Sequence, residues 1–299
     1  MRITCKGPYD FRLTWGLFSA HAAGNATRRG SLAMWWDGTP TLIYLRQTGE
    51  EPPRLELIAD PMPARPLEFQ KKVREMLFAD LELQPFYRRA RRDRSLRPVV
   101  NALVGLKPVR PPDVFQMVVI ALSEQQVSMA AAHRVRERLL AACGTRAGRL
   151  LAFPRAEDVA ALGPEGLRAC GFSARKASCL AALAEMFASG DMDVSSWEEM
   201  DDETLASRLR GYPGIGEWTA EYILLRGLGR LDALPASDLG VRRAVGRCLA
   251  EGEELSAGEV RELLEPWRPW RGLLAFYLLA HQRLMRKELD QAKGLDQAQ

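Results

Sequence analysis

The feature that most constrains the fold is a short turn, Pro213-Gly214-Ile215-Gly216, between two stretches of helical composition. The first stretch, Asp202–Arg210, has leucines four residues apart on one face. Gly211 stands where helices commonly end in a left-handed residue, and Glu217 begins a helix that runs to about Leu228. The turn exposes backbone N–H groups at a helix N-terminus, which suits a phosphate. A Gly-x-Gly segment between helices is also often a turn and nothing more.

Three side chains that follow the turn carry potential chemistry. Trp218 and Tyr222 are four residues apart, so both lie on one face of the second helix. Asp238 stands at the start of a third predicted helix, Leu239–Leu249. Each also has a structural explanation, because aromatic residues at this spacing pack in cores and an aspartate at a helix start serves as an N-cap.

The segment GYPGIGEWTAEYILLRG, followed by LPASDLG, resembles the helix-hairpin-helix (HhH-GPD) DNA glycosylases, and among them the 3-methyladenine DNA glycosylase II branch. That family has a hairpin of the form P-G-[IV]-G, then W-T-A, then an aspartate, and the spacing from Gly216 to Asp238 agrees with it. The resemblance implies that Asp238 is the catalytic carboxylate. It further implies that Trp218 and Tyr222 form part of a base pocket. Gly214, Ile215 and Gly216 would contact DNA.

The resemblance is strong over residues 112–281 and weaker over residues 1–80. It implies a mainly α-helical glycosylase core, with two helical subdomains around a cleft, and an N-terminal antiparallel α/β sheet domain. A chain of 299 residues is long enough for two or three domains. We therefore expect a sheet domain at residues 1–80 and a helical core at 81–299. Within the core, residues from about 112 to 228 form the central subdomain and the remainder packs as the second.

The first 80 residues alternate between β-forming segments and turns, which predicts a meander. Helical patterns at residues 11–23 and 67–78 predict two helices on one face of the sheet. Strands are expected at residues 2–5, 32–36, 41–45 and 55–58. The opening PYDFRLTWGLF is similar to the same glycosylase branch, in which an aromatic residue of the first helix borders the base pocket. Leu17 and Phe18 are the nearest candidates here, and the choice between them stays open.

The distribution of charged residues along the chain is more informative about DNA binding than the net charge. The net charge is only +4, but residues 86–110 contain YRRARRDRSLR and then KPVR. A run this basic is commonly a solvated face. Its functional alternative is electrostatic attraction to DNA phosphates.

Two further segments resemble DNA-contacting parts of the family. An enzyme that extracts a base must fill the hole left in the stack, and an inserted side chain does so. IALSEQQVSMAAAHRV is similar to the segment that carries this wedge, and by position Gln126 is the wedge. A helix-capping glutamine without DNA contact is the alternative. In GFSARKASCLAALAEM we expect Lys176 at the surface or against a phosphate.

Residues 266–281, PWRPWRGLLAFYLLAH, predict a buried helix entered through two tryptophans. By resemblance Trp270 lines the base pocket beside Asp238, whereas Trp267 packs internally. Leu239 also belongs to the predicted pocket and stands where some members of the branch have an aromatic residue. Ser237 precedes Asp238 in place of a second acid. Both departures leave the preferred damaged base open.

The implied chemistry is hydrolysis of an N-glycosidic bond. Positive charge develops on the deoxyribose, and a carboxylate such as Asp238 stabilises that charge and orients water. An alkylated purine is cationic and leaves easily, so it needs an electron-rich cage more than a general acid. Trp218, Tyr222 and Trp270 would form that cage. The expected activity is excision of flipped-out alkylated bases, of the 3-methyladenine type, from double-stranded DNA.

Two alternatives remain. Glycosylases that also cut the strand use a lysine just after the hairpin, where this chain has Trp218, so a monofunctional hydrolase is expected and an oxidised-purine glycosylase is disfavoured. The other alternative is a non-catalytic helix-hairpin-helix protein that recognises damaged DNA. Asp238 argues against it, because a binding module has no need of a carboxylate facing DNA.

Composition limits the cofactors and the compartment. The five cysteines are scattered and have no C-x-x-C pair, so we expect no zinc, no iron–sulfur cluster and a reducing cytoplasm. A monovalent cation on the hairpin carbonyls is allowed by the resemblance. The three histidines are dispersed and indicate core or surface positions. With no long apolar run and no signal peptide, we expect a monomer that does not enter membranes and acts on DNA.

Overall fold

The computed structural model describes residues 1–22 and 24–296, with the backbone alone for residues 287–296. The four-stranded sheet consists of β1 (Arg2–Thr4), β2 (Ser31–Trp36), β3 (Thr39–Glu50) and β4 (Pro53–Asp60). Its order is β1-β4-β3-β2 and every pairing is antiparallel. The predicted meander is confirmed, and β3 and β4 extend beyond their predicted bounds because the two strands continue pairing to the Glu50–Pro53 corner.

Helices occupy most of the remaining chain. They are α1 (Phe11–His21), α2 (Pro66–Met76), α3 (Gln84–Ala90), α4 (Leu96–Ala102), α5 (Val114–Glu124), α6 (Met129–Cys143), α7 (Ala156–Ala169), α8 (Ala174–Ser189), α9 (Asp202–Arg210), α10 (Glu217–Ile223), α11 (Leu239–Leu249), α12 (Ala257–Leu264) and α13 (Arg271–Asp296). A π-helical turn, Leu224–Leu228, continues α10. The mainly helical class with an N-terminal sheet is therefore confirmed, as are the bounds of α9 and α11.

The N-terminal sheet buries one face under α1 and α2, as predicted. Because strand side chains alternate, Ile43 and Leu45 point to the same side and share a core with Trp15 of α1 and Phe69 of α2. Asp10 caps α1 by accepting the Leu13 N–H at 2.8 Å. The predicted end of this helix, Ala23, lies outside the described residues.

The opposite face of the sheet is covered by a hairpin that the sequence patterns did not reveal. β5 (Thr145–Ala147) and β6 (Leu150–Ala152) pair with each other, and Ala147 and Ala152 pack on Ala33 and Leu42. Strands of three residues show no alternation long enough to recognise.

The helices divide between two further cores. The first surrounds α5, whose side chains are buried on nearly every side, as the continuous apolar run of this helix requires. The second combines α3 and α4 with α11, α12 and α13. The first core is therefore built from one continuous stretch of the chain. The second core brings together helices that are distant in sequence. The domain limits at residues 80 and 112–228 stay predictions.

Lys107 connects the sheet to the helices. Its side chain is buried, and Nζ donates to the carbonyl oxygens of Lys6 (2.9 Å), Ala79 (3.3 Å) and Leu81 (2.8 Å). Arg110 lies over the Phe78 ring and donates to the Leu228 carbonyl at 2.9 Å. Two residues of the KPVR part therefore have a structural role, and attraction of the basic run to DNA phosphates stays one of its two alternatives. No helix within the described residues is long and apolar enough to span a bilayer.

Candidate active site and DNA-facing surface

The hairpin connects α9 to α10 through a turn with one left-handed residue. The prediction that Gly211 is that residue is wrong, because its φ is −72° and ψ is −14°. Gly214 has φ +76° instead, and a Cβ at this position would lie 2.9 Å from Cys179 Cβ. The chain therefore turns at Gly214, held against α8, and Ile215 is buried beneath it. Gly216 follows as the N-cap residue of α10.

Gly214→Ala is expected to lower the free energy of unfolding by about 1–3 kcal/mol, because alanine is strained at φ +76° and would crowd Cys179. The matched control is Gly216→Ala, where a Cβ meets nothing within 4 Å. Urea unfolding of the two variants measures the difference. An equal small effect at both positions would contradict the close contact between the turn and α8.

The residues predicted to contact DNA share one surface depression. Gln126, Lys176, Gly214, Ile215 and Gly216 all line it. Gln126 is exposed in the α5–α6 loop and has a left-handed backbone conformation, with φ +53°. Sequence reasoning alone could not establish this grouping, because the loop and the hairpin are separated by most of the first helical core.

Gln125 joins the loop to the hairpin, a role that no local sequence pattern indicates. Its side-chain amide donates to the Gly214 carbonyl and to Thr219 Oγ1, both at 2.9 Å. Lys176 supports the same loop from α8, since Nζ donates to the carbonyls of Gln125 (2.6 Å) and Ser123 (3.3 Å). Burial lowers the pKa of this amine. Lys176 thus positions the loop, and whether it also reaches a phosphate stays a prediction.

Asp238 performs two tasks at the start of α11. Oδ1 accepts the Val241 N–H at 2.9 Å, which is the N-cap interaction, and Oδ2 accepts the Trp218 indole N–H at 2.9 Å. The Trp218 ring in turn stacks on Tyr222, with centroids 5.2 Å apart and planes 22° apart. The carboxylate is half-buried, so it is fixed in direction while part of it stays accessible.

Asp238 lines a pocket between α1, α10, α11 and α13. The pocket is lined by Leu17, His21, Tyr222, Leu225, Arg226, Pro235, Asp238, Val241, Ala275, Phe276, Leu279, Ala280 and Arg283. Of the two candidates on α1, Leu17 lines this pocket, whereas Phe18 is buried in the sheet core. Residues of α1 and α10 meet here because the sheet domain packs its first helix against the helical core.

Three predicted pocket residues are not among those that line this pocket. Trp218 donates to Asp238 and stacks on Tyr222, but only Tyr222 lines the cavity. Trp270 does not line the pocket, because its ring packs edge-on against Phe86 in the second helical core, 6.1 Å between centroids. On α13 the lining residues are instead Ala275, Phe276, Leu279, Ala280 and Arg283. Leu239 is 54% exposed beside Asp238 and points outside the lined cavity. The helical register of α13, which sequence spacing does not reveal, decides which residues face the pocket.

A buried ion pair lies behind Tyr222. Arg136 Nη1 donates to Glu124 Oε1 at 3.0 Å and to Ser123 Oγ at 2.8 Å, and both charged side chains are almost completely buried. Burial raises the pKa of Glu124, and Arg136 partly offsets that effect. Tyr222 also interacts with Glu124, and burial raises the pKa of its hydroxyl. Arg136 and Glu124 can both stay charged in the protein interior because they pair with each other.

His21 lines the pocket as a neutral ring. Nδ1 is 2.7 Å from the Leu17 carbonyl and therefore carries the proton, which leaves Nε2 to accept from Arg283. Burial and the nearby guanidinium of Arg283 lower the pKa of His21 from 6.5 to about 3. Arg226 and Arg136 act in the same direction.

Acid is expected to destabilise the protein through His21. The unfolded chain binds this proton near pH 6.5 and the folded chain near pH 3, so the contribution is complete above pH 6.5 and is lost progressively below it. At about pH 5 the loss is about 2 kcal/mol. Urea unfolding at several pH values should show a flatter profile for His21→Gln than for the wild type. His133→Gln is the matched control, and identical profiles for all three proteins would contradict the assignment.

Arg226 is a second pocket residue that sequence reasoning missed, although a signal was present. It follows Tyr222 by four residues, as Tyr222 follows Trp218, so the three share one helical face. Its guanidinium carbon lies 4.8 Å from the centroid of the Phe276 ring. Taken together, a carboxylate held by an indole N–H and an aromatic ring that lines the cavity can stabilise positive charge next to Asp238.

Metal ligation is not evident in this arrangement. Over residues 1–22 and 24–286, no group of three or more His, Cys, Asp or Glu side chains is arranged to hold a metal ion. All five cysteines are free thiols.

Two helices joined by a glycine turn, followed by a capped aspartate beside a pocket, define a helix-hairpin-helix protein. Residues 119–269 match the HhH-GPD superfamily base excision DNA repair protein model, and the chain belongs to that family.

Individual relatives extend the similarity. A DNA-3-methyladenine glycosylase of Bacillus subtilis is 27% identical over 215 residues, covering 71% of each chain. A probable bifunctional transcriptional activator/DNA repair enzyme AlkA of Mycobacterium tuberculosis is 30% identical over 93% of this chain, which spans 56% of that protein. A solved 3-methyladenine DNA glycosylase from Archaeoglobus fulgidus superimposes with a TM-score of 0.83 at 26% identity, covering 94% of this chain and 98% of the other.

Proposed function

We propose that this protein is a monofunctional DNA glycosylase that flips alkylated bases out of double-stranded DNA and hydrolyses their N-glycosidic bonds in base excision repair. The observation that carries the proposal is the Asp238 carboxylate, held by the Trp218 indole at 2.9 Å beside a lined pocket. Family membership and the 3-methyladenine glycosylases among the relatives support it.

In this reaction Asp238 faces the deoxyribose of the extracted nucleotide. As the bond to the base breaks, positive charge develops on the sugar, and the nearby carboxylate stabilises that charge. The N-cap bond to Val241 and the indole bond to Trp218 occupy one site on each oxygen and leave further lone pairs for water. The Tyr222 ring, which stacks on Trp218 and lines the pocket, would present an aromatic face to a cationic base.

The depression around the hairpin holds the DNA backbone. The N–H groups at the start of α10 would donate to a phosphate, and Gln126 would enter the space that the extracted base leaves. Gln125 hydrogen-bonds the α5–α6 loop to the hairpin. Insertion of Gln126 and binding of the phosphate would therefore be structurally coupled.

The absence of a lysine supports the monofunctional assignment. None of the described residues that line the pocket is a lysine, and Trp218 occupies the position in which lysine-bearing relatives form a Schiff base. The product is then an intact strand with an abasic site. The free thiols favour a reducing cytoplasm, where the protein would act on DNA as a monomer.

A monovalent cation on the hairpin carbonyls is part of this proposal. The Tyr212 carbonyl accepts the Ile215 N–H at 3.2 Å and the Gly214 carbonyl accepts from Gln125, yet each oxygen keeps a second lone pair for a hard cation. A cation on these two oxygens would supply positive charge toward a phosphate. The chemistry at Asp238 does not depend on it.

Release of free base from methylated duplex DNA tests the proposal. The wild type should release alkylated purines and leave abasic sites that break only after treatment with alkali. Strand cleavage before alkali would indicate a lyase, as in oxidised-purine glycosylases that carry a lysine. Tight binding to every modified duplex without release would favour a non-catalytic damage-recognition protein.

A further inference from the structure

The conformation of the α5–α6 loop depends on contacts from outside the loop. Gln126 has φ +53°, a left-handed conformation that residues other than glycine keep only where their surroundings enforce it. The residue before it, Gln125, leaves α5 with φ −57° and ψ 125°. Residues 125–128 include no glycine, so hydrogen bonds made to the loop must offset the strain of this turn.

Lys176 of α8 holds the backbone of the loop. Its Nζ atom donates to the Gln125 carbonyl at 2.6 Å and to the Ser123 carbonyl at 3.3 Å, at the C-terminal end of α5. A cation is favourable there because the last carbonyl groups of a helix have no helical partners. An ammonium group that bonds two carbonyls two residues apart fixes the direction in which the chain leaves α5, immediately before Gln126.

The side chain of Gln125 is fixed from the hairpin. Its amide donates to the Gly214 carbonyl and to Thr219 Oγ1, both at 2.9 Å. Gln125 is therefore held at its carbonyl by α8 and at its side chain by the hairpin and α10, whereas the next residue, Gln126, is exposed. A fixed backbone beneath an exposed side chain is the arrangement that insertion into a base stack requires.

We propose that Lys176 is a positioning residue for base extraction, which acts through Gln125 to hold Gln126 in the conformation that enters the duplex. In this role Lys176 touches neither the damaged base nor its sugar, and it acts on a step that precedes bond breakage. The proposal rests on the glycosylase function proposed above, with Gln126 as the inserted side chain.

A direct phosphate contact is the competing explanation of Lys176. An ammonium group has three N–H donors, and two of them are used by the loop. A phosphate contact would weaken binding to every duplex and would contribute about 0.9 to the slope of its salt dependence. A positioning contact would instead affect the unstacking of the base, and its effect would fall when the base is already unpaired.

The test compares Lys176→Met with the wild type on two duplexes that carry 7-methylguanine in identical flanking sequence. In one duplex the damaged base is paired with cytosine, and in the other it lies unpaired opposite a stable abasic analogue. In single-turnover assays with saturating enzyme, Lys176→Met should release the paired base about 10- to 100-fold more slowly and the unpaired base less than about 3-fold more slowly. The slope of the salt dependence of duplex binding should stay within about 0.3 of the wild-type value.

Arg175→Met is the matched control for loss of one positive charge. Arg175 is exposed and lines the same depression as Lys176, and within the described chain no hydrogen bond joins it to the loop. Its replacement should change release from the two duplexes by the same factor. Lys176→Arg keeps a cationic donor and should recover part of the lost rate on the paired duplex. If Lys176→Met does not fold, this variant carries the comparison.

Gln126→Ala tests whether Lys176 acts through the inserted side chain. This variant should also slow release of the paired base more than release of the unpaired base. The double variant Lys176→Met/Gln126→Ala should be no slower than the slower of the two single variants, because both changes remove the same insertion.

Three results would overturn the inference. Equal slowing on both duplexes by Lys176→Met would indicate a general structural role. Unchanged rates together with a salt slope lowered by about 0.9 would indicate a phosphate contact. Losses that multiply in the double variant would show that Lys176 acts independently of Gln126. A wild type that releases base from neither duplex would defeat the proposed function itself, and the inference with it.

Discussion

Asp238→Asn is expected to lower the rate of base release by at least about 10²- to 10³-fold, because the negative charge that faces the deoxyribose is removed. Asparagine is as good an N-cap as aspartate, and its side-chain oxygen can still accept the Val241 N–H. The free energy of unfolding should therefore change by less than about 1 kcal/mol. Single-turnover release from methylated duplex DNA and urea unfolding measure the two quantities on the same protein.

The comparison separates the two explanations of Asp238. Asp201 caps α9 through the Thr204 N–H at 2.9 Å and does not line the pocket, so Asp201→Asn is the matched control and should keep full activity. If Asp238→Asn remained as active as that control, Asp238 would be a cap alone and the catalytic group would lie elsewhere. Loss of activity together with loss of stability would leave the structural explanation in place.

Arg136→Met is expected to lower the free energy of unfolding by about 3–5 kcal/mol, because it leaves Glu124 charged and unpaired in the interior. Glu124 also interacts with Tyr222, which lines the pocket. Without Arg136 to hold Glu124 in place, this support of Tyr222 is weakened. Urea unfolding at neutral pH measures the loss.

The double variant Arg136→Met/Glu124→Leu shows whether the loss of stability comes from the unpaired charge of Glu124. Without either charge it should recover to within about 1–2 kcal/mol of the wild type. Arg46→Met removes one member of an exposed pair, with Glu56, and should cost less than about 1 kcal/mol. A double variant no more stable than Arg136→Met would mean that packing around Arg136, and not its charge, stabilises this region.

The parts of the site that could be predicted from sequence all depend on local signals. The turn at Gly214, the N-cap at Asp238 and the aromatic spacing of Trp218 and Tyr222 involve residues close to one another in the chain. Local conformational preferences act over such distances and leave a pattern in the sequence. The same four-residue spacing extends from Tyr222 to Arg226.

The composition of the pocket wall could not be predicted in the same way. Leu17 belongs to α1 and Leu279 to α13, so the wall forms only when the sheet domain and the last helix pack on the core. Trp270 was expected there because it is a large aromatic residue near the start of the predicted helix. Its ring packs on Phe86 instead, and the rotation of α13 decides that outcome.

The sequence by itself determined the hairpin, the capped aspartate beyond it, the mainly helical class with its N-terminal meander, and the family. Tertiary packing alone decided that Gln125 would join the loop to the hairpin and that buried guanidinium groups would face the pocket. The reason is physical. Turns and caps are stabilised by neighbouring residues, whereas a pocket is the space that remains when distant elements bury their apolar faces against each other.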